Sequence, residues 1–273
     1  MLAVIVLAAV AAPWISPQDP YDLRQIRLAD AYLPPVWSAA RESAPPPPEG
    51  APRFRLGADS QGRDVFSAVL YGLRVSLWVG ASGAAIALVV GVALGLVAGY
   101  FGGRADAAIM RLADMQLAFP SVLIALFLMA LLGSGLGKIV LAVAVVHWVI
   151  YARLARGMVL AEREKDYVAA AATIGARAPS ILLRHLLPNV AAPILVVFAL
   201  QFASIVMLEA MLSYLGLGVP ITRPSLGMLI KLGHDDFLSG SWWVWFFPGA
   251  ALVALVVSVN WLGDALREGK DEG

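Results

Sequence analysis

Glu162-Arg-Glu-Lys-Asp-Tyr-Val-Ala-Ala-Ala-Ala-Thr-Ile-Gly175, followed by Arg184-His185-Leu-Leu-Pro188-Asn189, is a polar, helix-prone island in a chain that otherwise reads as membrane. Of the 273 residues, 60% are hydrophobic and 14% charged, against roughly 25% charged in a soluble domain. The missing charge is missing in blocks: stretches of about 20 residues nearly free of Asp, Glu, Lys and Arg, which is the signature of helices that cross a bilayer. The island is therefore where a soluble partner could grip the chain. The net charge of +1 carries no nucleic-acid footprint. The absence of cysteine excludes disulfides, thiolate metal sites and a cysteine nucleophile. His147, His185 and His234 have no partner at metal-ligand spacing.

Working outward from the island, the apolar blocks predict six spans, near 1–15, 75–101, 115–134, 138–157, 190–216 and 244–265. The first is short: 15 residues rise about 22 Å against a hydrocarbon core of about 30 Å. It also lacks the basic n-region of a signal peptide, so a shortened or misassigned first span is expected. Residues 16–73 form a long polar connection, with Pro45–Pro48 predicting an extended polyproline spacer. After it, Leu56-Gly-Ala-Asp-Ser-Gln-Gly-Arg-Asp64 has the glycine and aspartate of a turn, leading into the helix of the second span.

Orientation follows from Lys and Arg in short loops. With the amino end inside, one side carries Arg104, Arg111, Arg153, Arg156, Arg163, Lys165, Arg177, Arg184, Arg267 and Lys270; the other carries Lys138, Arg223 and Lys231. The island, and both chain ends, then face the cytoplasm. Trp242, Trp243, Trp245, Phe246 and Phe247 fall at the outer interface as an aromatic belt.

Within the spans, Gly91-x-x-x-Gly95-x-x-x-Gly99 places three glycines on one helix face and predicts a close helix contact. The ionisable groups in or beside the spans are Arg111, Asp114, His147 and Glu209. Arg111 and Asp114, three apart on one face, are expected to pair with each other. Glu209 either lines a translocation path or hydrogen-bonds a neighbouring helix, and its surroundings in sequence fit both.

On the island itself, Glu162–Thr173 is rich in helix formers, Gly175 is placed to end that helix, and a second short helix near 178–187 is expected to stop at Pro188. The product is a helical hairpin with alanines at its tip and Asp166, Arg177 and Arg184 flanking it. Such a hairpin either seats in a partner's groove or anchors its two spans at the interface.

Residues 166–189 resemble the EAA loop of binding-protein-dependent ABC-transporter permeases, most of all the C-type subunit of dipeptide/oligopeptide transporters. Leu56–Val65, Leu70–Ser76, Ala98–Gly103, Leu117–Pro120, Tyr151–Arg153, Leu212–Gly218 and Asn260–Arg267 extend the resemblance over roughly residues 56–268. It implies an all-α polytopic membrane protein, about six transmembrane helices with a cytoplasmic coupling hairpin: the type I ABC importer permease fold. The implied layout is a first segment and extracytoplasmic loop (1–73), a permease domain (74–268, coupling segment about 158–189) and a cytoplasmic tail (269–273).

In that family the EAA helix docks in a cleft of the cytoplasmic ATPase. By position, the resemblance assigns coupling to Asp166, Tyr167, Ala169, Ala170, Ala171, Gly175, Arg184 and Pro188, with the triplet's glutamate replaced by Ala169. Ser225–Met228 also departs from the family's usual tryptophan–glycine–asparagine run. Glu209 and Asp114 are candidates for the translocation path.

The implied chain is a non-catalytic subunit in the inner (plasma) membrane. It would pair with a homologous permease, two ATP-binding subunits that hold ATP and magnesium, and an extracytoplasmic solute-binding protein. No cofactor is expected in this chain: no lysine lies in a G-x-x-x-x-G-K-[ST] loop and no nucleophile–base pair is evident. The rival reading is a self-sufficient secondary carrier or channel.

Overall fold

Helix dominates the computed structural model, which describes residues 1–22, 24–38, 54–220, 223–235 and 240–271. The proline run at 45–48 and residues 272–273 of the expected tail lie outside the described residues. The chain's contacts divide into two compact units: Met1–Gly80, Met129–Ile139 and Val206–Val259 form one, and Ala81–Leu128, Val140–Ile205 and Asn260–Gly273 the other.

The elements in chain order are α1 (Leu2–Val10), α2 (Ala12–Ile15), α3 (Val65–Phe101), α4 (Gly103–Leu117), α5 (Ser121–Leu132), α6 (Leu136–Glu162), α7 (Asp166–Thr173), α8 (Ala178–Ser180), a π-helical turn (Ile181–Leu186), α9 (Leu187–Tyr214), α10 (Leu226–Asp235) and α11 (Trp243–Asp271). Among the described residues, four helical segments are long and apolar enough to cross a membrane: Val65–Phe101, Leu136–Glu162, Ala178–Tyr214 and Trp243–Ala265. The bent pair α4 and α5 makes a fifth if taken as one broken span.

Two of the six expected spans are corrected. The first is not one helix, because it divides at Ala11 ahead of Pro13 into segments of nine and four residues. The third, expected at 115–134, turns by 91° between Leu117 and Ser121. Pro120 supplies the cause: it lacks an N–H and pushes Phe119 out of the helical region.

In the first unit, the loop before α3 is built by buried polar groups. Gly57 and Gly62 adopt φ of +85° and +80°, and Ala58 and Asp64 form an antiparallel bridge. Asp59 accepts from the backbone N–H of Arg63 at 2.9 Å and from its Nε at 2.7 Å, with both side chains buried. Asp64 caps α3 by accepting from the Ser67 N–H at 2.8 Å. Its own N–H donates to Gln18 Oε1 at 2.6 Å, tying the first segment to the loop. Burial pushes the Asp64 carboxyl above the ordinary carboxylate range, against the lowering effect of the Ser67 hydrogen bonds.

The aromatic cluster partly matches expectation. Trp242 meets Phe246 edge-on and Phe247 at a tilt, and Trp37 joins it from the loop, its ring 6.1 Å from that of Trp242. Trp243 does not belong to an outer belt: it is buried and its Nε1 donates to the Ala58 carbonyl at 3.1 Å. Helix α10 lies against α9, where a Cβ added at Gly227 would collide with the Ala210 carbonyl.

In the second unit, the glycine stripe does what its spacing predicts. Gly91 and Gly95 of α3 lie so close to α6 that an added Cβ would overlap the carbonyl oxygens of Trp148 and Ala152; at Gly99 it would sit 2.8 Å from Val159 Cβ. Ala87, Val92 and Leu96 of α3 then share a core with Tyr151, Ala155 and Val159 of α6. Helix α4 is held to α6 by Ala113 against Trp148, Val149 and Ala152, and by Gln116, which accepts from Trp148 Nε1 at 2.9 Å and donates to the Val146 carbonyl at 2.8 Å.

Gly95→Val should drive α3 and α6 apart and cost about 1–3 kcal/mol or more, as overpacking does. Thermal unfolding followed by size-exclusion fluorescence in detergent should show the loss. Gly137→Ala on α6, where an added Cβ meets nothing within 4 Å, is the control and should leave the transition unchanged or raised.

Candidate functional site

Helix α6 ends at Glu162, where a turn through Arg163, Glu164 and Lys165 reverses the chain into α7. The single helix expected over Glu162–Thr173 is divided: Glu162 ends α6, residues 163–165 are a turn, and the helix resumes as α7 at Asp166. In the turn the Lys165 N–H bonds the Glu162 carbonyl, and Arg163 reaches back to donate to the Gly99 carbonyl at 2.9 Å. The bare end of α3 is thus closed by a guanidinium from the start of the hairpin.

Helix α7 divides into two faces. Val168 and Ala171 are buried against Val159, Leu96, Ile181 and Leu186, the i,i+3 spacing of an inward stripe. Ala169, Ala170, Ala172 and Thr173 are exposed. Of the expected alanine triplet, then, Ala169 and Ala170 present the surface while Ala171 is part of the seat. Gly175 takes φ +84° and ends α7, as its residue type predicts, with open space around its α-carbon. Ile174, beside it, is 86% exposed, an apolar knob at the tip.

The return strand of the hairpin corrects the sequence reading. Pro188 does not stop a short second helix; α8, the π turn and α9 run on as one helical segment from Ala178 to Tyr214. A proline ring clashes with the carbonyl four residues earlier, here that of Arg184, and has no N–H to give. The π turn over Ile181–Leu186 widens the helix where that clash would fall, so the chain passes the proline without ending. Arg184 is exposed on this turn and Pro188 beside it, while Ile181 and Leu186 pack inward.

Asp166 opens α7 and is exposed. Tyr167 does more than expected of it: its hydroxyl donates to Glu162 Oε1 at 2.8 Å and accepts from Asn189 Nδ2 at 3.1 Å. Burial first, and then the bond to Glu162, hold that hydroxyl above its ordinary pKa, so it stays a donor. Neither Glu162 nor Asn189 was singled out from sequence. The sole signal was that Asn189 follows Leu187-Pro188 within the same quoted run.

The two path candidates fall apart from the hairpin residues. Asp114 pairs with Arg153 of α6, not with Arg111, and the pair is about half exposed. Arg156 makes the neighbouring bond to Asp106, its Nη2 donating to Oδ2 at 2.6 Å. A cross-helix partner beats a same-helix one here because α4 and α6 already lie side by side through Gln116 and Ala113. Glu209 belongs to the other unit and is fully buried. It accepts from Ser76 of α3 at 2.9 Å and from Ser213 at 2.7 Å, both serines also buried. Of the two readings open for Glu209, the geometry is that of a helix–helix tie.

Residues 91–270 match the family model described as binding-protein-dependent transport system inner membrane component. The chain is 38% identical to the di/tripeptide transport system permease protein DppC of Pseudomonas aeruginosa over 99% of its own length and 85% of that protein's. It is 36% identical to the dipeptide transport system permease protein DppC of Bacillus subtilis, covering 99% and 79%. To the glutathione transport system permease protein GsiD of Pectobacterium atrosepticum it is 38% identical, covering 79% and 71%. Among solved structures it is similar in fold to a chain of the MetNI methionine ABC transporter in an inward-facing conformation, with a TM-score of 0.57 at 18% identity over 74% of this chain and 95% of that one.

Gly175→Val should cost the hairpin tip about 1–2 kcal/mol, because a β-branched side chain resists the left-handed region even where space is free. Ala169→Glu, on the exposed face, should cost within about 0.5 kcal/mol. Protease protection of the 166–189 segment in membrane vesicles should fall for the first variant and hold for the second.

Proposed function

Because the chain belongs to the family of binding-protein-dependent transport system inner membrane components, it is a multi-pass permease subunit of an ATP-driven importer, and we propose that its solutes are dipeptides and short oligopeptides. The relatives matched along most of the chain are named for di- and tripeptides and for glutathione, solutes that share a peptide-like backbone with charged ends.

We infer that the α7 hairpin is the part that receives the energy. The observation that carries this is the division of α7 into a seated face, Val168 and Ala171, and a bare face of alanines ending in Ile174 and Gly175. Small side chains let a partner's groove close onto the helix backbone, and Ile174 gives it one apolar anchor. Two cytoplasmic ATPase subunits, which would hold ATP and magnesium, engage this hairpin and its counterpart on a homologous permease. An extracytoplasmic binding protein delivers the peptide. Closure of the ATPases on ATP shifts the hairpins and opens the cavity outward; hydrolysis resets it. In this scheme the chain performs no catalysis, and both of its ends face the cytoplasm, the side that carries most of its short-loop Arg and Lys.

A self-sufficient carrier would need its own ion-coupling group, and the buried acid best placed for that, Glu209, has both oxygens engaged by serines as a tie between α3 and α9.

The chain has no cysteine, so a single Ala170→Cys gives an unambiguous probe. In membranes holding the co-expressed genomic neighbours, it should crosslink to an ATPase subunit, and a bulky Ala170→Trp should reduce ATP-dependent dipeptide uptake at least about tenfold by blocking a close-packed groove. Failure to capture an ATPase from any position between Ala169 and Ile174 would remove the hairpin from this role.

A further inference from the structure

We propose that Glu162, Tyr167 and Asn189 form a polar bolt that fastens the root of the hairpin to two membrane helices at once, making Tyr167 a positioning residue and not a contact for the ATPase. The inference rests on the reading of α7 as the coupling element and says how its motion reaches the membrane.

The geometry is specific. Glu162 is the last residue of α6, Tyr167 the second of α7, and Asn189 the third of α9. Tyr167 Oη donates to Glu162 Oε1 at 2.8 Å while Asn189 Nδ2 donates to Tyr167 Oη at 3.1 Å, so one hydroxyl joins α6 to α9 through α7. Each end of the chain of bonds is itself held. Lys165 Nζ donates to Glu162 Oε1 at 2.9 Å, and the Glu162 side chain is 15% exposed. Asn189 Nδ2 also donates to the His185 carbonyl at 2.6 Å, within the π turn, where the Tyr167 and His185 rings lie 6.4 Å apart.

Apart from the bolt and the Arg163 bond to the Gly99 carbonyl at the preceding turn, α7 is attached through apolar contacts. Val168 and Ala171 rest on Val159, Ile181 and Leu186, contacts that resist separation but have no directional preference and so permit sliding. Hydrogen bonds are directional. With the bolt in place, a push on the tip at Ile174 and Gly175 cannot slide α7 along its seat; it has to carry the end of α6 and the start of α9 with it. Without the bolt, the same push is spent in the hairpin. The bolt needs an acceptor oxygen at position 162 and a protonated hydroxyl on Tyr167, and the upward shift of that hydroxyl keeps the proton in place.

The test uses the full chain in liposomes, with and without the co-expressed ATPase and partner permease, carrying a nitroxide on Thr173→Cys, an exposed site outside the bolt. Tyr167→Phe and Asn189→Leu should each raise the mobile fraction of the label about three- to tenfold, the population shift expected from one hydrogen bond. In the assembled transporter both should lower labelled dialanine taken up per ATP hydrolysed by a similar factor, with ATPase capture unchanged. The Tyr167→Phe/Asn189→Leu double variant should be no worse than either single one, since one bolt is broken once. Glu162→Gln keeps an acceptor and should restore what Glu162→Leu loses.

Wild-type label mobility and uptake per ATP in both single variants, or effects that add in the double, would overturn the bolt. If Tyr167→Phe does not insert, the Glu162→Gln and Glu162→Leu comparison decides in the same way. Failure of the wild-type chain to capture an ATPase or take up dialanine would instead strike the functional reading, and the label measurement on the chain alone would still judge the bolt.

Discussion

In the second unit α3 comes against the backbone of α6 along Gly91, Gly95 and Gly99, and the hairpin is built on the end of that contact. In lipid there is no hydrophobic drive to press two apolar helices together, so their contact depends on fit. Three missing side chains supply that fit, bringing α3 against the carbonyls of Trp148, Ala152 and Arg156. The last step of the stripe, Gly99 against Val159, is also the first step of the hairpin's seat, because Val159 belongs to the core that holds Val168 and Ala171. Arg163 closes the joint by donating to the Gly99 carbonyl. A close-packed helix contact is thereby continuous with the element proposed to receive force.

The basic residues on which the expected orientation rests are also put to structural use. Arg153, Arg156 and Arg163 lie on or just after one helix end and reach Asp114, Asp106 and the Gly99 carbonyl respectively. Half-exposed pairs such as Arg153 with Asp114 contribute little stability singly. Their value is in register: together with Gln116 they hold α4 beside α6 up to Leu117, where Pro120 forces the turn into α5. A broken helix at membrane depth leaves backbone groups without helical partners, which is tolerated where protein or water meets them.

What could be read from the residues was whatever depends on period and on backbone permission. Four apolar spans, the glycine stripe, the Gly175 terminus and the turn at Leu56–Asp64 all follow from such rules. What could not be read depends on which groups meet in space. Asp114 chose Arg153 over Arg111 because helix packing brought α6 alongside, and no spacing along α4 announces that. Trp243 left the aromatic belt because the loop folded back to offer it the Ala58 carbonyl. Pro188 was expected to end a helix by a local rule, and a π turn ending two residues upstream, at Leu186, removed the clash on which the rule rests. Tyr167 and Asn189 are 22 residues apart in sequence, and only the hairpin's closure brings them, with Glu162, together.

The composition of the hairpin argues for coupling by shape. Ala169, Ala170 and Ala172 offer little area, and Ile174 is a single exposed apolar side chain at the tip. Burying one isoleucine fully is worth about 1.5–3 kcal/mol, which is modest against the cost of ordering two surfaces. A subunit that has to follow its motor through a repeated cycle gains nothing from tight static binding at one site, because an equal grip on both states shifts neither. It gains from stiffness, since displacement at the tip reaches the spans only if the root does not yield. On the proposed coupling role, the same reasoning accounts for Ala169 at the position where the resemblance implies a glutamate. In that proposal the exposed face needs close approach to a partner's groove, whereas the root, with Glu162, Tyr167 and Asn189, needs polar groups that hold direction.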